Sequence, residues 1–315
     1  VYKNVSREDS VEQYARAQVG LGVILYNLKR FAEAEHAYKN VSREDSVEQY
    51  ALVQVNLGFL LNELKRFAEA EHAYKNVSRE DSKKLYVTTQ VNLGILLKQQ
   101  QRFDEAEQAF KNVTREDSVE QYAKAQFNLG ILLKQQQRFD EAEQAYKNVG
   151  REDSVEYYAT AQVNLGFLLN ELKRFNEAKQ CYKNVSRLDS VEQYVKAQFN
   201  LGTLLQQHKR FQEAEQAYNN VSREDSLDIY TKTQNNLGGL LADLKRFDEA
   251  EKAYKNITQE DSVQHYAWAQ WNLYWDCGQN KDHLIYIQKE HDLETYAQAR
   301  FVLGELEENL SAKSE

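Results

Sequence analysis

The chain has no proline and no methionine, and only 12 glycines and two cysteines among its 315 residues. Proline breaks helix interiors, so its absence fits a nearly all-helical chain joined by short turns. With no methionine there is no initiator, and Val1 to Ser10 matches only the tail of a segment that recurs downstream. The sequence therefore reads as beginning inside a repeat, with further repeats or an N-terminal domain expected ahead of it. Cys181 and Cys277 stand far apart and fit no metal-ligand spacing, which gives no disulfide and points to a reducing, cytoplasmic compartment. No run approaches the roughly 18 apolar residues of a membrane helix, and no signal or transit segment is visible. The six histidines are scattered. His36 and His72 are equivalent positions, yet no carboxylate or cysteine joins them at ligand spacing, and no glycine loop could cradle a phosphate. No catalytic residue, metal or cofactor is expected. A net charge of −9 counts against nucleic acid and anionic membranes as partners.

What is present is repetition. Gln126-Phe-Asn-Leu-Gly-Ile-Leu-Leu133 is the centre of a unit, and steps of 36 residues from Gln126 land on Gln18, Gln54, Gln90, Gln162, Gln198, Gln234 and Gln270. A self-repeat of this length marks supersecondary units that cannot bury their apolar faces alone and are stabilised by stacking on their neighbours.

Each unit reads as two helices. Tyr122, Ala125, Leu129, Leu132, Leu133 and Gln136 share one face at about 100° per residue, which predicts an amphipathic helix over Ser118 to Gln136. Ser118 is its expected N-cap, and Gln121 three residues later completes a capping box, repeated at Ser10/Gln13, Ser46/Gln49 and Ser190/Gln193. Ser82, Ser154, Ser226 and Ser262 keep the cap without the box. Phe139, Ala142, Ala145, Tyr146 and Val149 then define a second apolar stripe, with Glu143 and Lys147 paired one turn apart. Asn40, Asn76 and Asn148 are expected to be left-handed C-caps in a loop lacking glycine.

Leu129-Gly130, Phe139, Ala142 and Tyr146, in this order and spacing and recurring from Gly22 to Tyr254, resemble the tetratricopeptide repeat. The family usually repeats every 34 residues; this chain uses 36, with Gln126 where a Trp is common, Leu133 where a Tyr is common, and no closing Pro. The resemblance implies an all-α fold, a right-handed superhelical solenoid of stacked helix-turn-helix repeats. Gly130 is read as allowing close helix approach, despite costing about 1 kcal/mol in a helix interior. Residues 1–7 form the end of a partial repeat, 8–289 eight repeats with the last shortened, 290–310 a capping helix with its core from Asp292 to Leu310, and 311–315 a tail. In the last repeat Tyr274 replaces the glycine and Asp276-Cys-Gly-Gln-Asn280 replaces the apolar helix end.

The copies also differ in an ordered way. Taking Tyr122 as zero, Ala125, Gln126, Leu129 and Leu133 fall within about 60° of it, while Lys124, Phe127, Asn128, Ile131, Lys134 and Gln135 fall between about 120° and 240°. The first arc is constant, as stacking requires. The second varies, yet keeps large apolar residues: Phe127, Phe167, Phe199, Trp268, Trp271 and Trp275. Free surfaces drift, but drift alone would give mostly polar residues, which favours a binding face. Asn56, Asn92, Asn128, Asn164, Asn200, Asn236 and Asn272 run through this arc as a column. A carboxamide can hold both the N–H and the C=O of an extended peptide, or can bond across to the next helix. In the family this resembles, first helices line the concave face and such an asparagine often grips ligand backbone. Gln126 and its copies lie on the constant arc and read as buried inter-helix hydrogen bonds.

Arg16, Lys98, Lys124, Lys134, Lys196 and Lys232 outnumber Glu63, Glu171 and Asp243 on the variable stripe, so the groove is mildly basic and a partner of acidic character is expected. The carboxylate clamp of some members of the family is only half present, since Val91, Phe127, Val163 and Phe199 stand where a second Lys would be needed. Trp268, Trp271 and Trp275 either anchor a ligand or seal the end of the core. The function expected is a protein-interaction scaffold binding an extended peptide or protein segment. A ligand-sensing arm of a larger signalling protein, such as a signalling ATPase, and an assembly spacer, natural or engineered, are the alternatives; RNA reading is disfavoured by the acidic balance.

Overall fold

A computed structural model of the chain describes residues 6–8, 10–278, 282–285, 287, 294–300 and 302–303. The first helices are α1 (Val11–Asn27), α3 (Val47–Glu63), α5 (Lys83–Gln99), α7 (Val119–Gln135), α9 (Val155–Glu171), α11 (Val191–Gln207), α13 (Leu227–Asp243) and α15 (Val263–Asp276). The second helices are α2 (Phe31–Lys39), α4 (Phe67–Lys75), α6 (Phe103–Lys111), α8 (Phe139–Lys147), α10 (Phe175–Asn184), α12 (Phe211–Asn219), α14 (Phe247–Lys255) and the short α16 (Asp282–Ile285). The result is an α solenoid in two compact units, Val1–Ala161 and Gln162–Glu315. Residues 294–300 and 302–303 are helical, and the remainder of the expected capping helix, like the 311–315 tail, lies outside the described residues.

Serine starts each first helix. Ser118 has extended backbone and its side chain accepts from the Gln121 N–H at 3.3 Å, and Ser82, Ser226 and Ser262 act alike on the residue three positions on. The capping box does not close at Ser118. Gln121 Oε1 is buried without a partner, and the Ser118 N–H donates instead to the Thr114 carbonyl at 3.4 Å. The preceding Thr-Arg-Glu-Asp turn brings that carbonyl within reach, so the glutamine is not needed.

First helices α1 to α13 end in Schellman geometry without glycine. Gln137 has φ +61°, its N–H donates to the Lys134 carbonyl at 3.0 Å, and the Arg138 N–H donates to the Leu133 carbonyl at 2.9 Å. Lys29, Lys65, Gln101, Lys173, Lys209 and Lys245 share the positive φ. The expected left-handed asparagines are therefore corrected. Asn40, Asn76 and Asn148 are right-handed, with φ of −77°, −75° and −70°, because the sharp reversal falls inside the repeat rather than at its end.

Close packing within a repeat rests on an aromatic ring laid against a glycine. A Cβ added to Gly130 would stand 2.6 Å from Tyr146 Cε1, and Gly22, Gly58, Gly94, Gly166, Gly202 and Gly238 meet the rings of Tyr38, Tyr74, Phe110, Tyr182, Tyr218 and Tyr254 equally closely. In the last repeat the ring comes from the other side of the pair. Tyr274, in the glycine position, is buried in a cluster with Ala267, Leu284, Ile287, Ala299 and Leu303.

Neighbouring first helices pack on one another, α1, α3, α5 and α7 in one unit and α11, α13 and α15 in the other. Within each unit, among the described residues, no Cα of a second helix lies within 8 Å of a Cα of another second helix. Within each unit the first helices form a layer, while second helices are separated by a gap that only long side chains span.

Candidate functional site

The glutamine column holds each repeat together. Asn148 at the end of α8 donates through Nδ2 to the buried Gln126 Oε1 at 3.0 Å, and Asn76, Asn112, Asn184, Asn220 and Asn256 do the same to Gln54, Gln90, Gln162, Gln198 and Gln234. In the last repeat His283 Nδ1 stands 3.0 Å from Gln270 Oε1 in the asparagine's place. The expected buried inter-helix bonds are present, with the C-terminal asparagines of the second helices as donors.

The other arc is the outer surface of the first-helix layer. Asn56, Asn92, Asn128, Asn164, Asn200, Asn236 and Asn272 are all half-buried on it. Asn128 Nδ2 donates to the Lys124 carbonyl of its own helix at 2.8 Å. Asn236 is one of the influences holding down the Tyr218 phenol of the preceding repeat, which burial otherwise raises. The Tyr218 hydroxyl donates to Gln206 Oε1 at 2.9 Å. The aromatic that fills the glycine gap thus brings its hydroxyl up beside the asparagine column.

Position 131 and its copies form the most open apolar stripe: Val23, Phe59, Phe167 and Trp275 are 39%, 47%, 46% and 45% exposed. The 127 position differs from its expected orientation. Phe127 is half-buried between Tyr146, with ring centroids 6.3 Å apart, and Tyr157 of the next repeat at 5.9 Å, and its counterpart Val91 is fully buried. At about 140° from Tyr122 this position sits at the edge of the arc, where the next first helix covers it. The tryptophans divide between the two roles weighed for them. Trp271 packs on the C-terminal cluster, whereas Trp268 and Trp275 remain exposed.

In the second unit several of these residues meet. Phe199 on α11, Lys232, Asn235 and Asn236 on α13, and His265 and Trp268 on α15 line a recess of about 400 Å³. His265 forms its wall: it is buried, its Nδ1 lies 3.0 Å from Thr231 Oγ1, and burial, helped by Lys232, lowers its pKa from the ordinary value. Asn235 Nδ2 donates to the His265 carbonyl at 3.2 Å, while its Oδ1 is buried and unpartnered.

The basic character expected of this face is reduced by acids one turn earlier. Arg16 pairs with Glu12 at 2.7 Å, Lys196 with Glu192 at 2.5 Å and Lys232 with Asp228 at 2.8 Å. The sequence count had taken the cations without these i,i−4 partners. Lys124 makes no ion pair among the described residues, and burial lowers the pKa of Lys98.

Two arginine ladders were not anticipated. Arg138, at the N-terminus of α8, reaches Glu107 of the preceding second helix at 2.5 Å and Glu141 of its own at 2.5 Å; Arg66, Arg102 and Arg246 repeat this with Glu35, Glu71 and Glu215. In the loops Arg79 pairs with Asp117 at 2.7 Å and Arg115 with Asp153 at 2.7 Å, each across one repeat. Arginine recurring every 36 residues was the available signal. Among the described residues no cluster of three His, Cys, Asp or Glu could hold a metal, and no helix is long and apolar enough to cross a membrane.

None of the curated proteins matches the chain. Among solved structures, the C-terminal part of a TPR repeat-containing protein from Cytophaga hutchinsonii aligns with a TM-score of 0.56 and 12% identity, covering 86% of this chain and 99% of that one. The structure of pilF from Pseudomonas aeruginosa aligns with a TM-score of 0.52 and 14% identity, covering 66% and 90%. At such identities the likeness is one of fold. Sequence models described as Tetratricopeptide repeat match residues 19–84 and 91–153, 157–223, and 231–262, the segments that carry the glycine–aromatic pairs and the glutamine–asparagine bonds. The chain belongs to the tetratricopeptide repeat family.

Proposed function

We propose that the chain binds an extended peptide or protein segment along the concave face lined by its first helices, as a non-catalytic scaffold. The observation that carries this reading is the recess lined by Phe199, Lys232, Asn236 and Trp268, where an apolar wall and a carboxamide stand together on the open face. An apolar side chain of the segment enters between Phe199 and Trp268, and Asn236 and its column hold the segment's backbone N–H and C=O groups. Phe167 and Trp275 offer further apolar contacts on the first helices of the same unit. Lys124 and Lys98 favour acidic residues in the flanking parts of the segment.

A fluorescent pool of acidic and neutral extended peptides, titrated against the wild type and a Trp268→Ala/Asn236→Ala variant, tests this. Loss of one aromatic anchor and one hydrogen bond, about 2 kcal/mol or more together, weakens binding at least tenfold. The melting temperature serves as the control for folding. Unchanged affinity in a folded variant would place the segment elsewhere on the protein.

A further inference from the structure

The arginine ladder along the second helices is broken at α10, and a lined recess lies beside the break. In α2, α4, α6 and α12 the fifth residue is Glu35, Glu71, Glu107 or Glu215, and each pairs with the arginine that opens the next second helix. In α10 that residue is Lys179. Arg210, the arginine that would have received the carboxylate, pairs among the described residues only with Glu213, which also takes Lys179 at 3.0 Å. At an intact link two cations, such as Arg102 and Lys75, face two carboxylates, Glu71 and Glu105. At the broken link Arg210 and Lys179 share Glu213.

A recess of about 350 Å³ opens there, where the apolar Phe175, Leu204 and Leu205 stand beside His208, Asn176, Lys179 and Arg210. The Phe175 and His208 rings close one side, their centroids 3.9 Å apart. The corresponding recess one repeat later provides an internal comparison. It is lined by Phe211, Glu215, Leu244 and Arg246, and there Glu215 makes a two-pronged contact with Arg246, at 2.7 and 3.1 Å. Glu215 shows what fits beneath that arginine, namely a carboxylate. We propose that the recess at Lys179 and Arg210 is a binding site for a carboxylate carried on a flat or compact apolar body, the carboxylate taking the place that Glu215 occupies one repeat on and the body lying against Phe175, Leu204 and His208. Planar guanidinium recognition of a carboxylate and burial of the attached apolar group act together here. The recess shares no residue with the peptide recess on the first-helix face, so the proposal does not rest on the peptide reading.

The carboxylate comes either from a free organic acid or from the C-terminal residue of a peptide. The probes are phenylacetate, its neutral counterpart 2-phenylethanol, and a tripeptide ending in Phe as free acid and as amide, titrated by calorimetry and by amide NMR shifts. Phenylacetate or the free-acid tripeptide binds the full chain at least tenfold more tightly than its neutral counterpart, with shifts centred on α10 and the end of α11. Preference for the tripeptide identifies a chain terminus as the source, and preference for phenylacetate a free acid. Lys179→Glu restores the residue found at the intact links, so that variant folds, melts at a higher temperature than the wild type and loses at least tenfold in affinity. Lys179→Met removes the cation without supplying a carboxylate and weakens binding without that gain in melting temperature. Equal affinity for charged and neutral probes, no binding of either acid, or undiminished binding by Lys179→Glu overturns the proposal.

Discussion

Tyr146 lies so close over Gly130 that a single added Cβ would meet its ring at 2.6 to 2.9 Å. The buried ring has no room to retreat. Glycine in the middle of a helix ordinarily costs about 1 kcal/mol relative to alanine. Here the clash reverses the sign, and Gly130→Ala is expected to destabilise by about 1–3 kcal/mol, the range of overpacked cores. Urea unfolding followed by circular dichroism measures it; a gain in stability would show that the ring moves aside freely.

The bond between Asn148 and Gln126 joins a buried acceptor to a half-buried donor. Gln126→Met keeps the shape and removes the acceptor, and it is expected to cost about 0.5–1.5 kcal/mol. Asn148→Ala alone leaves Gln126 Oε1 buried and unpaired, so it costs at least as much. A double-mutant cycle on the two should return a coupling of similar size, because the sites are in direct contact.

Much of this design was legible in the sequence and some of it was not. Stacking imposes one buried set on the repeats, so Gln126, Leu129 and Leu133 recur and disclose the helix pair and its inner face. The left-handed residue was misplaced because it carries no glycine: Gln137 and Lys173 tolerate a position that composition alone assigns to Gly or Asn. Arginine ladders escaped notice because an arginine at an exposed position looks the same whether it decorates the surface or spans a gap. Phe127 was placed on the open face because helical angles give a direction and not the neighbour lying in that direction.

That left-handed turn offers its own test. Gln137 holds φ at +61°, a region costing most side chains roughly 1–2 kcal/mol and β-branched ones more. Gln137→Gly should hold or raise the melting midpoint, and Gln137→Val should lower stability by about 1 kcal/mol or more. Equal melting of the two variants would mean that the turn has another way to close.

Acid should loosen the links between second helices. Hydrogen bonds from Arg102, with help from Lys75, outweigh burial and lower the Glu71 carboxyl from 4.5 to about 2, and Glu35 and Glu107 are lowered in the same way by Arg66 and Arg138. A carboxyl depressed in the folded state contributes stability that is complete above its unfolded pKa and disappears as pH falls through the folded one. The loss therefore falls between about pH 4.5 and 2. Melting curves from pH 7 to pH 2.5 should show it, and Glu71→Gln should melt lower at pH 7 while losing part of the acid dependence.

In a linear array, stability is close to a sum of what each repeat contributes and what each holds in common with the next. A link in which two cations share one carboxylate couples its neighbours less firmly than one in which charges balance. Heating would then not melt the second unit evenly. It would separate first at α10 and α12, and amides on either side of that seam would exchange with solvent as two blocks rather than one.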